Sequence, residues 1–190
     1  MQCDLCKNKE CYEGKDCLGK QKDEPGDYSG EDKKLHRVAT FIEGEYYMQK
    51  TRVQELILFG LEMEYKSLGV AFCIGLKEEA EVLCAYLRKH FKVYSVCCKV
   101  CGVSKDSMDL KKINVDKEET MCNPVTQAAV LKDKATELNV TVGLCVGHDI
   151  LFNKYSAAPV STLVVKDRVL SHNPAGAIYT GYYKKILLES

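Results

Sequence analysis

The sequence has no tryptophan, only four prolines in 190 residues and no net charge, its 27 basic side chains matched by 27 acidic ones. No run of five like charges occurs, so the electrostatic footprint of a nucleic-acid binder is missing. The longest apolar run, Leu68 to Leu76, falls far short of the roughly 20 residues that cross a bilayer. The N-terminus, Met-Gln-Cys-Asp-Leu-Cys, lacks the apolar core of a secretory signal, which predicts a protein of the reducing cytoplasm. Nucleic acid, membrane and export are thereby set aside. What is abundant is cysteine, eleven in all. A chain of this length buries roughly 70% of its unfolded surface and needs no crosslink to close a core. In a reducing compartment such thiols read as metal ligands or redox centres, and their odd count agrees.

Residues 1–34 hold four cysteines and many charges but almost no large aliphatic side chain, so this segment makes no core of its own and needs a metal to hold it. Residues 35–190 read as a separate α/β domain. Val53, Leu56, Ile57, Gly60 and Leu61 form one helical stripe, predicting helix over about 33–65 with a break near Gly44. Leu68 to Ile74 reads as a buried strand, Lys77 to His90 as a helix with Ala80, Leu83, Cys84 and Leu87 on its apolar face, and Val93 to Cys98 as a second strand. Together these make a βαβ unit. Gly102 to Glu119 is a polar stretch of about 18 residues, long enough for a functional flap. Asn123-Pro124 supplies an N-cap and a first-turn proline for the next helix. Val140 to Val146 and Ser161 to Lys166 complete about four parallel strands, and a last helix starts near Ala175. The predicted fold is a small Rossmann-like parallel sheet with flanking helices.

Cys3, Cys6, Cys11 and Cys17 follow a CxxCx4Cx5C spacing, which suits a tetrahedral metal or the corners of an iron–sulfur cubane. Zinc and iron–sulfur remain equally open at this site. The second group is dispersed, yet on the strand assignment it converges. Cys73, Cys98 and Cys145 end strands, Cys122 precedes a helix N-cap, and Cys101 lies three residues past Cys98. Carboxyl ends of parallel strands share one edge of the sheet, where ligands bind and helix N-termini favour anions. Adjacent Cys97 and Cys98 point to opposite faces, so one of them is the ligand, and the Cys98xxCys101 pairing favours Cys98. Four thiolates, from Cys73, Cys98, Cys122 and Cys145, would saturate a 4Fe-4S cluster and leave Cys101 as an exchange ligand or a bystander. With three bound, one iron is open as a Lewis acid. The opposing reading, cysteine as a small core hydrophobe, fits Cys84.

His148 and Asp149 follow Cys145, and Lys166, Asp167 and Arg168 follow the fourth strand. His148, Asp149, Lys166 and Arg168 are candidates for acid, base or anion-binding roles beside the cysteines. Capping by His148 or Asp149, an ion-paired turn at 166–168 and N-capping by Asn173-Pro174 are the structural alternatives. His172 stands between the two readings.

The strings AFCIGLKEEA, SVCCK, CNPVTQA, GLCVGHDILFNKYSAAP and KDRVLSHNP, with the N-terminal CxxC set, resemble a predicted metal-binding family called domain of unknown function 1847, found mainly in anaerobic bacteria and archaea. The resemblance implies a cysteine-built metal or iron–sulfur site in an anaerobic setting and gives weight to Cys73, Cys98, Cys122 and Cys145. It implies no particular reaction. The resulting expectation is one or two 4Fe-4S clusters, with zinc as the alternative at the N-terminal site. The protein would be an oxidoreductase or sulfur-handling enzyme meeting a redox partner protein or a small anionic or thiol substrate. The rival from another class is a zinc-stabilised binding or regulatory module whose core thiols only pack.

Overall fold

The computed structural model describes residues 2–19, 28 and 30–189; part of the predicted N-terminal unit, residues 20–27, lies outside the described residues. Seven α-helices and four strands are described, in the order α1 (Gly30–Tyr46), α2 (Arg52–Glu62), β1 (Ser67–Phe72), α3 (Lys77–Leu87), β2 (Lys92–Cys97), α4 (Pro124–Asp133), β3 (Leu138–Val142), α5 (His148–Tyr155), β4 (Val160–Val164), α6 (Ala175–Tyr179) and α7 (Gly181–Glu189). The strands form one sheet in the order β2-β1-β3-β4, every neighbour parallel. The fold is therefore α/β, as the alternation of apolar runs and helical stripes predicts.

Strand alternation sends Leu68 and Val70 of β1 to one face, where they join Val38, Ile42, Leu56, Leu83, Cys84 and Leu87 from α1, α2 and α3. Ala71 joins Ala128, Leu131 and Phe152 of α4 and α5 on the other face. Cys84 is 2% exposed in the first cluster, so its thiol is a packing group, as its place on the apolar helix face predicts. Gly69 lets the second face close: a Cβ there would stand 2.1 Å from Asn139 Oδ1 and 2.8 Å from Leu131 Cδ1. Asn139 itself is buried but satisfied, accepting from Thr136 Oγ1 and donating to Ser156 Oγ, both at 2.8 Å.

Several boundaries differ from the sequence expectation, the first strand ending at Phe72 and the second at Cys97, so that Cys73 and Cys98 stand just past them. The break between the first two helices falls at 47–51, not near Gly44. Thr51 and Gln54 form a capping box that starts α2 afresh, while Gly44 is tolerated inside α1. β3 stops at Val142 because Gly143 turns into the left-handed region at φ 65°, so Cys145 stands in the β3–α5 loop rather than in the strand. The fourth strand, expected to run to Lys166, ends at Val164. The C-terminal helix is two short ones, interrupted at extended Thr180. Asn123 does cap α4, its Oδ1 accepting from the Thr126 amide at 3.2 Å, with Pro124 in the first turn. Among the described residues, no helix is long and apolar enough to cross a membrane.

Candidate thiol site on the sheet rim

The register of the sheet assembles the site. Phe72 pairs with Cys97, so the next residues, Cys73 and Cys98, leave β1 and β2 side by side. Cys98 N donates to Phe72 O at 2.8 Å, and Cys73 N donates to Val142 O of β3 at 3.0 Å. The N-terminus of α4 then docks against the end of β2, Asn123 N donating to Cys98 O at 2.8 Å, which places Cys122 beside Cys98. Buried Gln127 holds this corner from below, its Nε2 donating to Phe72 O at 3.3 Å and Val96 O at 2.8 Å. The thiols of Cys73 and Cys122 flank that of Cys98, each within hydrogen-bonding reach of it. Three connections of the fold thus deliver three sulfurs to one row.

The electrostatics of the row follow from its neighbours. Hydrogen bonding to Cys122 and Cys73, together with burial, pushes the Cys98 thiol well up, so it is the protonated member. Cys122 is pulled down, first by the bond from Cys98 and then by the ring of His148, with Lys99 adding charge. Lys99 Nζ lies 3.5 Å from Cys122 Sγ and 2.6 Å from Thr120 O. Cys73 is lowered by Cys98, by the Gly75 amide and by Lys166. Cys98 carries one S–H proton and donates to one flanking sulfur at a time. Of its two neighbours, Cys122 is the more firmly held as thiolate, because His148 and Lys99 both face it. His148 is in turn raised, chiefly by its bond to Cys122.

Cys145 stands apart from the row. Arg168 donates to its sulfur from Nη2 at 2.8 Å, and its carbonyl accepts from the first amides of α5, His148 N at 2.9 Å and Asp149 N at 3.0 Å. Of the four polar candidates, His148, Lys166 and Arg168 each meet one thiol. Asp149 does not: its Oδ1 accepts from Gly147 N at 3.0 Å and Ile150 N at 2.7 Å, which closes its own turn. His172 is likewise taken by a turn, Nδ1 accepting from Asp167 N at 3.1 Å, and α6 starts without a side-chain cap from Asn173. Cys97 packs at the core edge, and Cys101 is exposed in a left-handed turn at φ 69°; neither joins the row. Lys99 was missed by sequence reasoning. Its signal is its position directly after Cys98, at the end of β2.

Residues 102–119 form a flap clamped at its neck beside Cys122. Ser104 bridges Thr120, Met121 N donates to Val103 O at 2.8 Å, and Lys105 pairs with Glu119 at 2.6 Å. Lys105, with the amides of Asn114 and Ile113, pulls the Glu119 carboxyl down to about 2.

The N-terminal cysteines are arranged differently. Cys3, Cys6, Cys11 and Cys17 are all exposed, the first three on or beside two 3-10 turns, Cys3–Leu5 and Glu10–Glu13, and Cys17 four residues beyond the second. Among the described residues no three His, Cys, Asp or Glu side chains close around a common point, here or at the rim, where the contacts run as a row. Well-formed cavities lie elsewhere. One of about 610 Å³ sits between α1, α2 and the start of β4, lined by Ile42, Leu56, Phe59 and Leu163 among others, with no cysteine in its wall. A concave apolar pocket is the usual first guess for a ligand site. Here the thiols and their cationic neighbours lie on the rim instead.

A family model described as "Protein of unknown function (DUF1847)" matches residues 14–163. This chain belongs to that family. The match takes in Cys17, the rim cysteines, Lys99 and His148, and leaves out Cys3, Cys6, Cys11, Lys166 and Arg168. An uncharacterized protein of Methanocaldococcus jannaschii is 56% identical over 191 residues, covering 100% of this chain and 99% of the relative. No solved structure matches the chain. The family is thus one of unknown function, and this member of it is cysteine-rich.

Proposed function

We propose that the rim row is the protein-side half of a metal centre, held by Cys73, Cys98 and Cys122 with Cys145 or His148 as the fourth group. The favoured occupant is an iron–sulfur cluster serving redox or sulfur chemistry. The observation that carries the reading is the convergence of three thiols from three separate connections, with a cation set against each flanking sulfur. The donor set fits: soft thiolates suit iron–sulfur clusters, zinc and copper(I). A cluster, when bound, supplies one-electron transfer or, with an open iron, a Lewis acid.

The chain's own residues have distinct parts in this reading. Lys99, His148 and Lys166 offset the negative charge of a thiolate-ligated group. Arg168 holds Cys145 at the mouth and offers its remaining donors to a small anionic or thiol substrate. The N-terminal Cys3, Cys6, Cys11 and Cys17 would gather on a second metal, coupling binding to local folding.

Zinc at the rim is the second reading, and one observation favours it. Cys73, Cys98, Cys122 and His148 are the donor types of a Cys3His zinc site, and closing the row around an ion would bring them to its corners. The test is purification without oxygen, followed by determination of iron, acid-labile sulfide and zinc, with paramagnetic-resonance spectra before and after reduction. The leading reading expects iron with sulfide, removed in separate portions by serine substitution of the rim set and of the N-terminal set. Stoichiometric zinc without sulfide would select the second reading. No retained metal would reject both.

A further inference from the structure

The rim row also holds the geometry of a dithiol exchange centre, which goes beyond metal binding and does not require it. Asn123 N donating to Cys98 O at 2.8 Å brings the backbones at 98 and 122 to about the spacing of neighbouring strands. That spacing, roughly 5 Å, lies inside the roughly 4.4–6.8 Å over which disulfide Cα atoms occur. The two sulfurs are in hydrogen-bonding contact. Their exposures differ: Cys122 is half-buried and open to solvent, while Cys98 is 2% exposed. An accessible sulfur beside a sheltered one is the division between an attacking and a resolving thiol. Lys99 Nζ, 3.5 Å from Cys122 Sγ, makes the entrance cationic.

We propose that Cys122 and Cys98 form a redox-active dithiol that exchanges with low-molecular-weight disulfides, anionic ones in preference. The Cys122 thiolate attacks one sulfur of the disulfide, whose S–S bond breaks and releases one thiolate, giving a mixed disulfide at Cys122. Cys98 gives up its proton to solvent and attacks the Cys122 sulfur. The second small thiolate leaves. Two protein thiols lose two electrons, and one small disulfide becomes two thiols once solvent supplies protons.

The probe is oxidised glutathione, added to the full-length reduced protein both as isolated without oxygen and after chelator treatment. Free thiols are then alkylated and the peptides mapped by mass spectrometry. Because Cys97 shares a tryptic peptide with Cys98, the Cys97→Ser variant is mapped alongside. The expected product is a Cys98–Cys122 link approaching one per chain, formed also in Cys97→Ser and reversed by dithiothreitol. Cys98→Ser should instead trap glutathione on Cys122. Cys122→Ser should leave Cys98 unmodified. A link joining Cys98 to Cys73, or glutathione on the exposed Cys3, Cys6, Cys11, Cys17 and Cys101 with Cys122 untouched, would overturn the proposal. Metal content is measured separately, so a link in a protein that never holds metal would sink the metal reading and leave this one standing. Metal without a link after chelation would do the reverse.

Discussion

Replacing Gly143 with alanine should disturb the rim from within the core, by an amount the structure sets. Gly143 adopts φ 65°, and a Cβ built on it would lie 2.6 Å from Leu76 Cδ1 and 3.0 Å from Leu76 Cδ2. Leu76 is 1% exposed and its amide donates to Cys73 O at 2.8 Å, so it has little room to turn aside and would displace the Cys73 turn if it did. The left-handed backbone costs an L-residue about 1–2 kcal/mol. Overpacking adds about 1–3 kcal/mol, giving a total of about 2–5 kcal/mol. In urea, with a slope of about 2 kcal/mol/M for a chain of this size, the Gly143→Ala midpoint should fall about 1–2.5 M below that of the unaltered protein. Adding Leu76→Ala to Gly143→Ala removes the clash, so the double variant should be about 1–3 kcal/mol less destabilised than the sum of the singles. A double variant as destabilised as that sum would refute overpacking at Leu76.

Cys84→Ala should cost about 1 kcal/mol of stability by thermal melt and leave metal content unchanged, because its thiol only packs. Lys99→Met should weaken metal retention by about tenfold, read by chelator competition, because it removes the cation beside Cys122. The Glu119 carboxyl, ordinarily near 4.5, is held at about 2 in the folded flap. The contribution of a carboxylate lowered in this way is complete above its ordinary value and is lost as pH falls from there through about 2. Hydrogen exchange at Ile113 and Asn114, corrected for the intrinsic rate, should therefore rise in that window, and Glu119→Gln should raise it already at neutral pH. Gln127→Leu should cost about 1 kcal/mol in urea denaturation, since it removes the Nε2 donor to Val96 O at the foot of the row while Phe72 O keeps its bond from Cys98 N.

Much of this architecture is carried by local signals. The strand runs, the Asn123-Pro124 start of α4 and the core role of Cys84 all follow from spacing and capping chemistry that act within a few residues. The break before α2 is set by the Thr51–Gln54 box, a stronger signal than the isolated Gly44. The end of β3 depends on the left-handed turn at Gly143, and glycine by itself does not disclose that conformation. The rim was legible as a gathering of cysteines at strand ends, but not as a row. The order Cys73, Cys98, Cys122 arises from the β1–β2 register and the docking of α4, both long-range. Asp149 and His148 are adjacent and equally plausible in sequence, yet the first closes its own turn and the second faces Cys122.

Metal ligation by the rim thiols underlies the proposed function. It is tested by X-ray absorption at the metal edge of anaerobically purified full-length protein carrying Cys3→Ser, Cys6→Ser, Cys11→Ser and Cys17→Ser, which leaves the rim as the remaining thiol site. The expected result is a shell of three or four sulfurs at ~2.3 Å, lost when Cys98→Ser is added. A metal surrounded by nitrogen and oxygen alone, or an unchanged sulfur shell after Cys98→Ser, would contradict it.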